Sequence, residues 1–463
     1  MTLCMGDGST LMVTEDGDIS VFGRNSHGRL GLGHADKVIR PTLLTKDEFA
    51  GVDVVMTSAG YHHSACVTST GALWMWGQCG ICGNRLQLFV PTPVLPQLKV
   101  LMVACGGEFT MVLTREKRVW TCGEGRNGQL GHNNTESSIS FAQVDPELFG
   151  TAATVSTIAA GDRNAMALTT TTAGNTLWTW GRGECGILGH GHNTQNRLVP
   201  VAIPATTFGG VPVVSMDGGL QHMLVVTADG ALWGCGSDYM GALGLHKNGV
   251  QGSLDFGESC VYTLQKVVGP EFADRSGVLM AACGMCHSIV LANNHTVWVC
   301  GGTSSYLTGR YSKNHHTSLE RRSLTLINPE FFGGRNVLMV AAGDSGCGAV
   351  TQDGDVRVWG GHSLMSGVDQ HARIGRWHNL RQEHAVAFAM MFDKRLGANA
   401  SPLKGLSADV LESMFSNMHL QPHADTPNAM HNMLGRRPPR RMFALDLNSP
   451  MLPDDEDEEY THR

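Results

Sequence analysis

The sequence predicts an all-β protein: a seven-bladed β-propeller closed by a terminal strand, with a mostly irregular C-terminal tail that contains one short helix. Three observations lead to this prediction. Glycine supplies 58 of the 463 residues and only 16% are charged, a composition typical of a turn-rich β architecture. One sequence phrase recurs seven times along the chain. Two further phrases follow it in a fixed order, with the period-two alternation of strands.

The first phrase is an apolar run followed by glycine, a short turn and a second apolar strand. Its clearest copies are GYHHSACVTSTG (60–71), GLQHMLVVTADG (219–230) and GMCHSIVLANNH (284–295). A copy holds three or four strands and buries both of its faces only by stacking against neighbouring copies, as propeller blades do. The intervals between copies are longer than the ~40–45 residues of WD repeats. The seven copies begin at Gly6, Gly60, Gly106, Gly161, Gly219, Gly284 and Gly343.

The second phrase is an aromatic-rich strand that ends in glycine, as in LWMWG (73–77) and LWTWG (177–181). The third is Gly-x-Leu-Gly, found at 28–31, 128–131, 186–189 and 241–244. We expect the glycines to supply positive φ at tight turns and to permit close backbone approach near the central channel. We expect packing between blades from the tryptophans at 74, 76, 120, 178, 180, 233, 298 and 359.

A ring of blades has to be closed, and two segments can supply the closing strand. Later repeats are preceded by apolar strands, whereas only MTLCMG precedes the first repeat phrase. Residues 384–391, HAVAFAMM, match the strand pattern after the seventh repeat. We therefore expect a terminal strand, from residues 1–5 or from 384–391, to complete a shared blade and leave no unpaired edge.

The repeats divide the chain into two predicted domains. Residues 1–392 form the seven-repeat propeller, and residues 393–463 form a C-terminal extension that prolines interrupt. The extension carries a basic cluster at 436–441, which is typical of a nuclear localisation signal or of a solvated linker. The acidic run at 454–459 is typical of a disordered tail.

A short helix is predicted near residues 406–418 of this extension. Leu406, Val410 and Met414 recur at four-residue spacing, and Ser407 is a suitable N-cap. The stretch weakly resembles the opening helix of an F-box, which would recruit a cullin-type ubiquitin ligase. The alternative is a helix that docks against the propeller or a partner.

Charge and cysteine usage bound the compartment and the partners. The formal net charge is −7, and the six acidic residues of the tail account for nearly all of it, so a near-neutral propeller gives no case for specific nucleic-acid binding. No apolar run approaches the ~18 residues of a membrane span, and no signal peptide is evident. The 13 scattered cysteines fit a reducing setting. We expect a cytoplasmic monomer, with the nucleus as an alternative location.

Catalytic, cofactor and metal motifs are not found in the sequence. It contains no P-loop, and its Gly-x-Gly runs lack a βαβ context. Zinc requires four ligands together, and the pairs Cys79–Cys82 and Cys283–Cys286 lie in different phrases of different repeats. His63, His222 and His287 share one repeat position, which indicates a structural role. We expect no cofactor, no metal and no intrinsic catalysis, and at most regulation of a GTPase.

The repeat length, the G-x-x-H-S phrase, the W-G strand ends and the G-Q-L-G turns resemble the regulator of chromosome condensation repeat family, over residues 1 to about 392. The founding member of that family exchanges guanine nucleotide on the small GTPase Ran, using acidic and polar residues in the G-x-x-H turns of one rim. The resemblance therefore implies a partner-binding rim, although an aspartate in such a turn also caps the turn itself. The matching positions hold Asp7, Tyr61, His62, Glu108, Asp162, Arg163, Gln221 and Asp344.

The resemblance leaves several functions open. The plant ultraviolet photoreceptor of the family has tryptophan after the repeat glycine, and none of the seven copies here does. The founding member's basic N-terminal arm has no counterpart before the first repeat, which disfavours Ran exchange and chromatin binding. We therefore predict a non-catalytic scaffold or adaptor that binds proteins. The alternatives are an exchange factor for a Ran-like GTPase and a substrate-recognition subunit of a ubiquitin ligase.

Overall fold

The structure is a computed structural model that describes residues 2–78, 87–150, 153–171, 174–245, 260–267, 277–302 and 323–360, and the backbone of 372–373. These residues belong to one compact unit, Met1–Leu406. The predicted boundary at 392–393, the strand at 384–391, the helix near 406–418 and the two charged clusters lie outside the described residues, as does Ser407–Arg463.

The first four blades are antiparallel four-stranded sheets in which strand order follows chain order. Blade one contains β1 (Leu3–Met5), β2 (Ser9–Val13), β3 (Ile19–Gly23) and β4 (Val38–Leu44). Blade two contains β5 (Val54–Ala59), β6 (His63–Thr68), β7 (Leu73–Gln78) and β8 (Gln87–Val94). Blade three contains β9 (Val100–Cys105), β10 (Phe109–Thr114), β11 (Val119–Gly123) and β12 (Ser138–Gln143). Blade four contains β13 (Thr154–Ala160), β14 (Asn164–Thr171), β15 (Gly174–Gly181) and β16 (Arg197–Ile203).

The last three blades follow the same plan and complete the predicted seven-bladed propeller. Blade five contains β17 (Val213–Gly218), β18 (His222–Thr227), β19 (Leu232–Ser237) and β20 (Cys260–Lys266). Blade six contains β21 (Val278–Cys283), β22 (His287–Ala292), β23 (Val297–Gly301) and β24 (Thr325–Leu326). Blade seven contains β25 (Val337–Ala342), β26 (Gly346–Thr351), β27 (Val356–Gly360) and β28 (Ala372–Arg373).

Short 3-10 helices of three or four residues are the helical elements of the described residues. One set follows the third strand of a blade, at Ser26–Gly28, Glu184–Gly186 and Tyr239–Gly241. The other set leads from one blade into the next, at Lys46–Phe49, Pro146–Phe149, Ala205–Phe208 and Pro329–Phe332.

The N-terminal residues supply the closing strand. Leu3–Met5 pairs with β2 as the inner strand of blade one, and Leu3 and Met5 pack against Met339 and Ala341 of blade seven. Because the first blade is already complete within residues 3–44, the expected sharing of one blade between the two chain ends is wrong for the described residues. Every sheet comes from one continuous stretch of chain.

The hydrophobic core consists of seven clusters, one at each junction between blades. Trp76, Trp180 and Trp359 are fully buried in three of them, which confirms the expected packing of these tryptophans between blades. The indole Nε1 of Trp76 donates to the Arg29 carbonyl oxygen of blade one at 2.8 Å. Trp180 donates to the Gln129 carbonyl oxygen of blade three in the same way, at 3.0 Å.

A phenylalanine at the end of each linking 3-10 helix completes these junctions. Phe49 lies edge-on to Trp74 with ring centroids 5.6 Å apart, and Phe149 contacts Trp178 at the same distance. Phe208 contacts Trp233 at 5.5 Å. Edge-to-face pairs of this kind contribute about 0.5–1.5 kcal/mol of stability beyond that from the area that they bury. This fourth repeated phrase, phenylalanine shortly before glycine, was present in the sequence and was not recognised there.

Candidate functional site

Seven turns form one rim of the propeller, each joining the inner strand of a blade to its second strand. Main-chain hydrogen bonds tie the turns of neighbouring blades together. The Tyr61 N–H donates to the Gly107 carbonyl oxygen at 3.2 Å, and the Gly107 N–H donates to that of Asp162 at 2.9 Å. The Asp344 N–H of blade seven donates to the Gly6 carbonyl oxygen of blade one at 3.2 Å. The sequence-predicted site residues therefore share one end of the molecule.

The seven repeat glycines form a closed circuit behind this rim. A Cβ atom built on any of them would lie 2.2–2.8 Å from the carbonyl oxygen of the repeat glycine in the next blade, around the ring from Gly6 through Gly60 to Gly343 and back to Gly6. Close backbone approach therefore requires glycine here, as predicted. Glycines at or next to the ends of the third strands have positive φ, as was also expected, for example 107° at Gly23 and 104° at Gly236.

A central channel of about 370 Å³ opens at this rim and is lined by the inner strands of all seven blades. In six blades the residue after the repeat glycine stands at its mouth. These positions hold Tyr61, Gly107, Asp162, Leu220, Met285 and Asp344, whereas Asp7 of blade one follows the lining residue Gly6. Two carboxyl groups therefore line one end of the channel, with apolar side chains on the side of blades five and six.

Tyr61 and Asp162 form a hydrogen-bonded pair between blades two and four. The Tyr61 hydroxyl bonds to the Asp162 carboxyl group, and burial together with the charge of Asp162 raises the pKa of Tyr61. Burial raises the pKa of Asp162 to about 6, against the opposing effect of the Arg163 guanidinium. Burial, followed by the charge of Asp7, also raises the pKa of Asp344. Protons at the mouth are therefore held more tightly than on free carboxyl groups.

Asp7 is anchored by two arginines. Its Oδ2 atom lies 2.9 Å from Nη1 of the half-exposed Arg24 and 3.0 Å from Nη1 of Arg29, whose side chain is completely buried. Arg29 Nη2 also lies 3.1 Å from Nδ1 of His62. Because a guanidinium only donates, this nitrogen accepts the bond and the His62 ring is neutral. Burial and the neighbouring Arg29 lower the pKa of His62 accordingly.

The three remaining predicted residues do not line the channel. Arg163 is exposed, and its Nε atom lies 3.4 Å from Oδ2 of the buried Asp162. Glu108 is exposed and Gln221 is half-buried. All eight predicted residues thus belong to the rim, but Asp7 and Asp162 are paired with arginines, and exposed Glu108 gives the rim an accessible carboxylate.

Asp217 is a channel residue that the sequence analysis missed. It lies two residues before a repeat glycine, where blade two has Ser58, blade one has Cys4 and the other four blades have alanine. Its Oδ2 atom accepts the Cys283 N–H at 2.8 Å, as the Ser58 hydroxyl oxygen accepts the Cys105 N–H at 2.9 Å. Burial raises the pKa of Asp217 to about 7. A carboxylate within an apolar strand was the signal that could have revealed it.

The repeated histidines connect blades. His63 Nε2 lies 2.9 Å from the Thr110 hydroxyl oxygen of blade three, and His222 Nε2 lies 2.9 Å from the Ser288 hydroxyl oxygen of blade six. Burial lowers the pKa of His63 and His287 to about 4 and that of His222 to about 3. These rings are therefore neutral hydrogen-bonding groups at neutral pH.

Neither a metal centre nor a membrane helix is found in the part of the chain that the structure describes. No three histidine, cysteine, aspartate or glutamate side chains there are grouped to hold a metal ion. Of the two Cys-x-x-Cys pairs, Cys79–Cys82 falls outside the described ranges. No helix within those ranges is long and apolar enough to cross a bilayer.

The fold and this rim can be compared with known proteins. The family model of the RCC1-like domain matches residues 1–270, more than half of the chain. The chain belongs to the RCC1-like family. Solved structures similar to this RCC1-like chain include human WBSCR16, with a TM-score of 0.62 and 21% identity over 78% of this chain and 93% of that one. Prp20p of Saccharomyces cerevisiae has a TM-score of 0.62 and 20% identity, over 85% of each chain. At these identities the likeness shows the fold.

Two curated relatives of this RCC1-like chain are more similar in sequence. The ultraviolet-B receptor UVR8 of Arabidopsis thaliana is 31% identical over 273 residues, which are 58% of this chain and 57% of UVR8. The human E3 ubiquitin-protein ligase HERC2 is 31% identical over 242 residues, which are 50% of this chain and 5% of HERC2. The aligned part thus spans less than two thirds of the length of each relative.

Proposed function

We propose that this chain is a non-catalytic propeller that binds another protein through the rim of the seven turns, as a monomeric scaffold or adaptor in the cytoplasm or the nucleus. One observation carries the proposal: the ring geometry brings all eight predicted residues to one end of the molecule. Loops held by a rigid scaffold are typical sites of recognition.

The composition of the rim supports a protein partner. Exposed Glu108 offers a charged contact, and Met285, 41% exposed on the same rim, offers an apolar one. An apolar contact beside polar groups is typical of protein interfaces. The backbone bonds between the turns hold these groups in fixed positions, so little conformational entropy is lost on binding.

The test compares the two ends of one strand. Glu108 and Glu116 are both exposed and flank β10, with Glu108 on the proposed rim and Glu116 at the opposite end of blade three. The tagged full-length chain, Glu108→Arg and Glu116→Arg are used to isolate bound proteins for quantitative mass spectrometry. Charge reversal at a contact costs several kcal/mol, so partners fall roughly 10-fold or more with Glu108→Arg. Equal recovery with both variants would contradict the proposal.

An exchange factor for a small GTPase is the second candidate. Prp20p, which shares the fold, has been described with its binding to Gsp1p and histones. The feature that favours this candidate is the shared rim position of Glu108, Asp162 and Asp344. Exchange needs no covalent chemistry, because stabilising the nucleotide-free GTPase is sufficient. Release of labelled GDP from a panel of small GTPases is the assay, and unchanged release at micromolar concentrations of the chain would rule the candidate out.

The ubiquitin-ligase alternative stays a prediction, because the F-box-like helix predicted near residues 406–418 lies outside the described residues. HERC2 is itself named as a ubiquitin-protein ligase, but only 5% of its length aligns with this chain. Co-purification of a Skp-type adaptor with the full chain, and its loss on deletion of residues 393–463, would support this alternative.

A further inference from the structure

Cys185 and Cys260 lie together at the junction between blades four and five. Cys185 is the middle residue of the 3-10 helix Glu184–Gly186, and Cys260 is the first residue of β20, the outermost strand of blade five. The thiol of Cys260 lies close enough to that of Cys185 to raise its pKa. Both are free and half-buried, so reagents in solution can reach them. We propose that this pair is a redox-sensitive site at which oxidation forms a disulfide between the two blades.

The backbone on both sides of the pair is held firmly in place. A Cβ atom on Gly186 would lie 2.4 Å from the Cα atom of Tyr262, so the two chains are in close contact directly beside the thiols. The Gly191 N–H donates to the Tyr262 carbonyl oxygen at 2.8 Å, and an isolated bridge pairs His190 with Thr263. Both cysteines therefore lie on backbone segments that a fixed junction holds together, as a disulfide between the two segments requires.

The same pair of positions is in contact elsewhere in the ring. In blade one the middle residue of the corresponding 3-10 helix is His27, with φ 68°, and Cys185 has φ 54°. The Nδ1 atom of His27 lies 2.9 Å from Nε2 of Gln87, which is the first residue of β8. Propeller symmetry thus places these two positions side by side at more than one junction. Only at the junction of blades four and five, among the described residues, are both occupied by cysteine.

A small-molecule disulfide such as oxidised glutathione is a sufficient oxidant. Burial and the neighbouring Cys260 thiol raise the pKa of Cys185, which disfavours the Cys185 thiolate, so the proposed reaction begins at Cys260. Its thiolate displaces one glutathione thiolate and forms a mixed disulfide. Cys185 then loses its proton and attacks the Cys260 sulfur, which releases the second glutathione. Two thiols are oxidised, and one glutathione disulfide is reduced to two thiols.

The pair lies on the rim side of the molecule, because the Arg182 N–H beside this helix donates to the Arg163 carbonyl oxygen of the rim turn at 2.9 Å. The disulfide would join blades four and five covalently at that end. The inference does not depend on the proposed partner, because the disulfide forms or fails to form in the isolated chain.

The experiment uses the purified full-length chain, reduced or incubated with oxidised glutathione, blocked with N-ethylmaleimide and digested with trypsin without reduction. Cleavage after arginine and lysine gives peptides 183–197 and 248–266, each with a single cysteine. We expect one cross-linked product, with the summed mass of these two peptides less two hydrogens. The amount of each alkylated peptide should fall by about half or more relative to the reduced chain. The buried Cys66 and Cys105 report on the native state and remain unmodified.

Three variants complete the test. Cys185→Ser abolishes the cross-link and leaves a glutathione adduct on the peptide of Cys260. Cys260→Ser also abolishes the cross-link, with slower modification of Cys185. Cys286→Ser replaces another half-buried cysteine of the rim and leaves the cross-link unchanged. Recovery of both wild-type peptides without a cross-link would overturn the inference, as would equal oxidation of the buried cysteines.

Discussion

Replacing Asp217 by asparagine should stabilise the propeller at alkaline pH. The carboxyl group has a pKa of about 7 in the folded chain, against an ordinary value of 3.8. Between these values the folded state holds a proton that the unfolded state has lost, so the free energy of unfolding falls as pH rises and the penalty is complete above pH 7. The shift of roughly three units corresponds to about 4 kcal/mol, which water in the channel reduces to about 2–4 kcal/mol.

Asparagine removes this charge and keeps an oxygen that can accept the Cys283 N–H. The carboxylate also bonds to the Gly218 N–H, and a weaker bond there costs about 1 kcal/mol. That cost is the same at every pH, so the change in pH dependence isolates the burial of the charge. Relative to wild type, the free energy of unfolding of Asp217→Asn should rise by about 2–3 kcal/mol between pH 5 and pH 8.

Urea unfolding followed by tryptophan fluorescence at pH 5 and pH 8 measures this difference. Asp229→Asn is the matched control, because a hydrogen bond from the Thr227 hydroxyl lowers the pKa of Asp229 and the group stays ionised over the whole range. The control should shift the free energy of unfolding equally at both pH values. If Asp217→Asn behaved like the control, the Asp217 carboxylate would be solvated and the reasoning would fail.

Three further perturbations test the junctions between blades, each by the free energy of unfolding. Gly219→Ala would place a Cβ atom 2.2 Å from a carbonyl oxygen of blade six and should cost about 2–4 kcal/mol. The control Gly191→Ala meets no atom within 4 Å and should cost about 1 kcal/mol because of its positive φ. Equal costs would refute the glycine circuit. Phe208→Ala removes a buried side chain and should cost about 3–5 kcal/mol. The control Ile139→Ala changes a side chain that is 54% exposed and should cost less than about 1 kcal/mol. A small effect of Phe208→Ala would show that the junction repacks. His222→Asn introduces the residue that blade four has at that position. The folded pKa of His222 is about 3, so between pH 6.5 and pH 4.5 only the unfolded chain is protonated there, and the loss of stability over that range should be about 2 kcal/mol smaller in the variant than in wild type. An unchanged pH dependence would contradict a buried neutral ring.

The architecture was predictable because each blade repeats the same local pattern. The glycines at 6, 60 and 219, the aromatic third strands and the turn phrases each report local geometry, and seven repetitions made their common meaning evident. The rim followed from the same reasoning, because residues at one phase of a repeat share one end of the ring.

Contacts between blades were beyond the sequence. The bond between Tyr61 and Asp162 joins two blades that are not adjacent, and the burial of Arg29 beneath Asp7 depends on how neighbouring turns pack. Cys185 and Cys260 are distant in sequence and adjacent only through the ring. Repetition defines what each blade contains, but side-chain distances across a junction depend on the tilt and spacing of the blades, which no single repeat encodes.

The circuit of repeat glycines also determines how many blades the ring can hold. A Cβ atom on each glycine would collide with the carbonyl oxygen of the next, and the seventh, Gly343, faces Gly6. Because no room is left between successive repeat glycines, the spacing of these seven glycines determines the perimeter of the innermost backbone. Duplication of one repeat would have to break this perimeter and widen the bore, so gene duplication within the array should be tolerated far less readily than in an open solenoid.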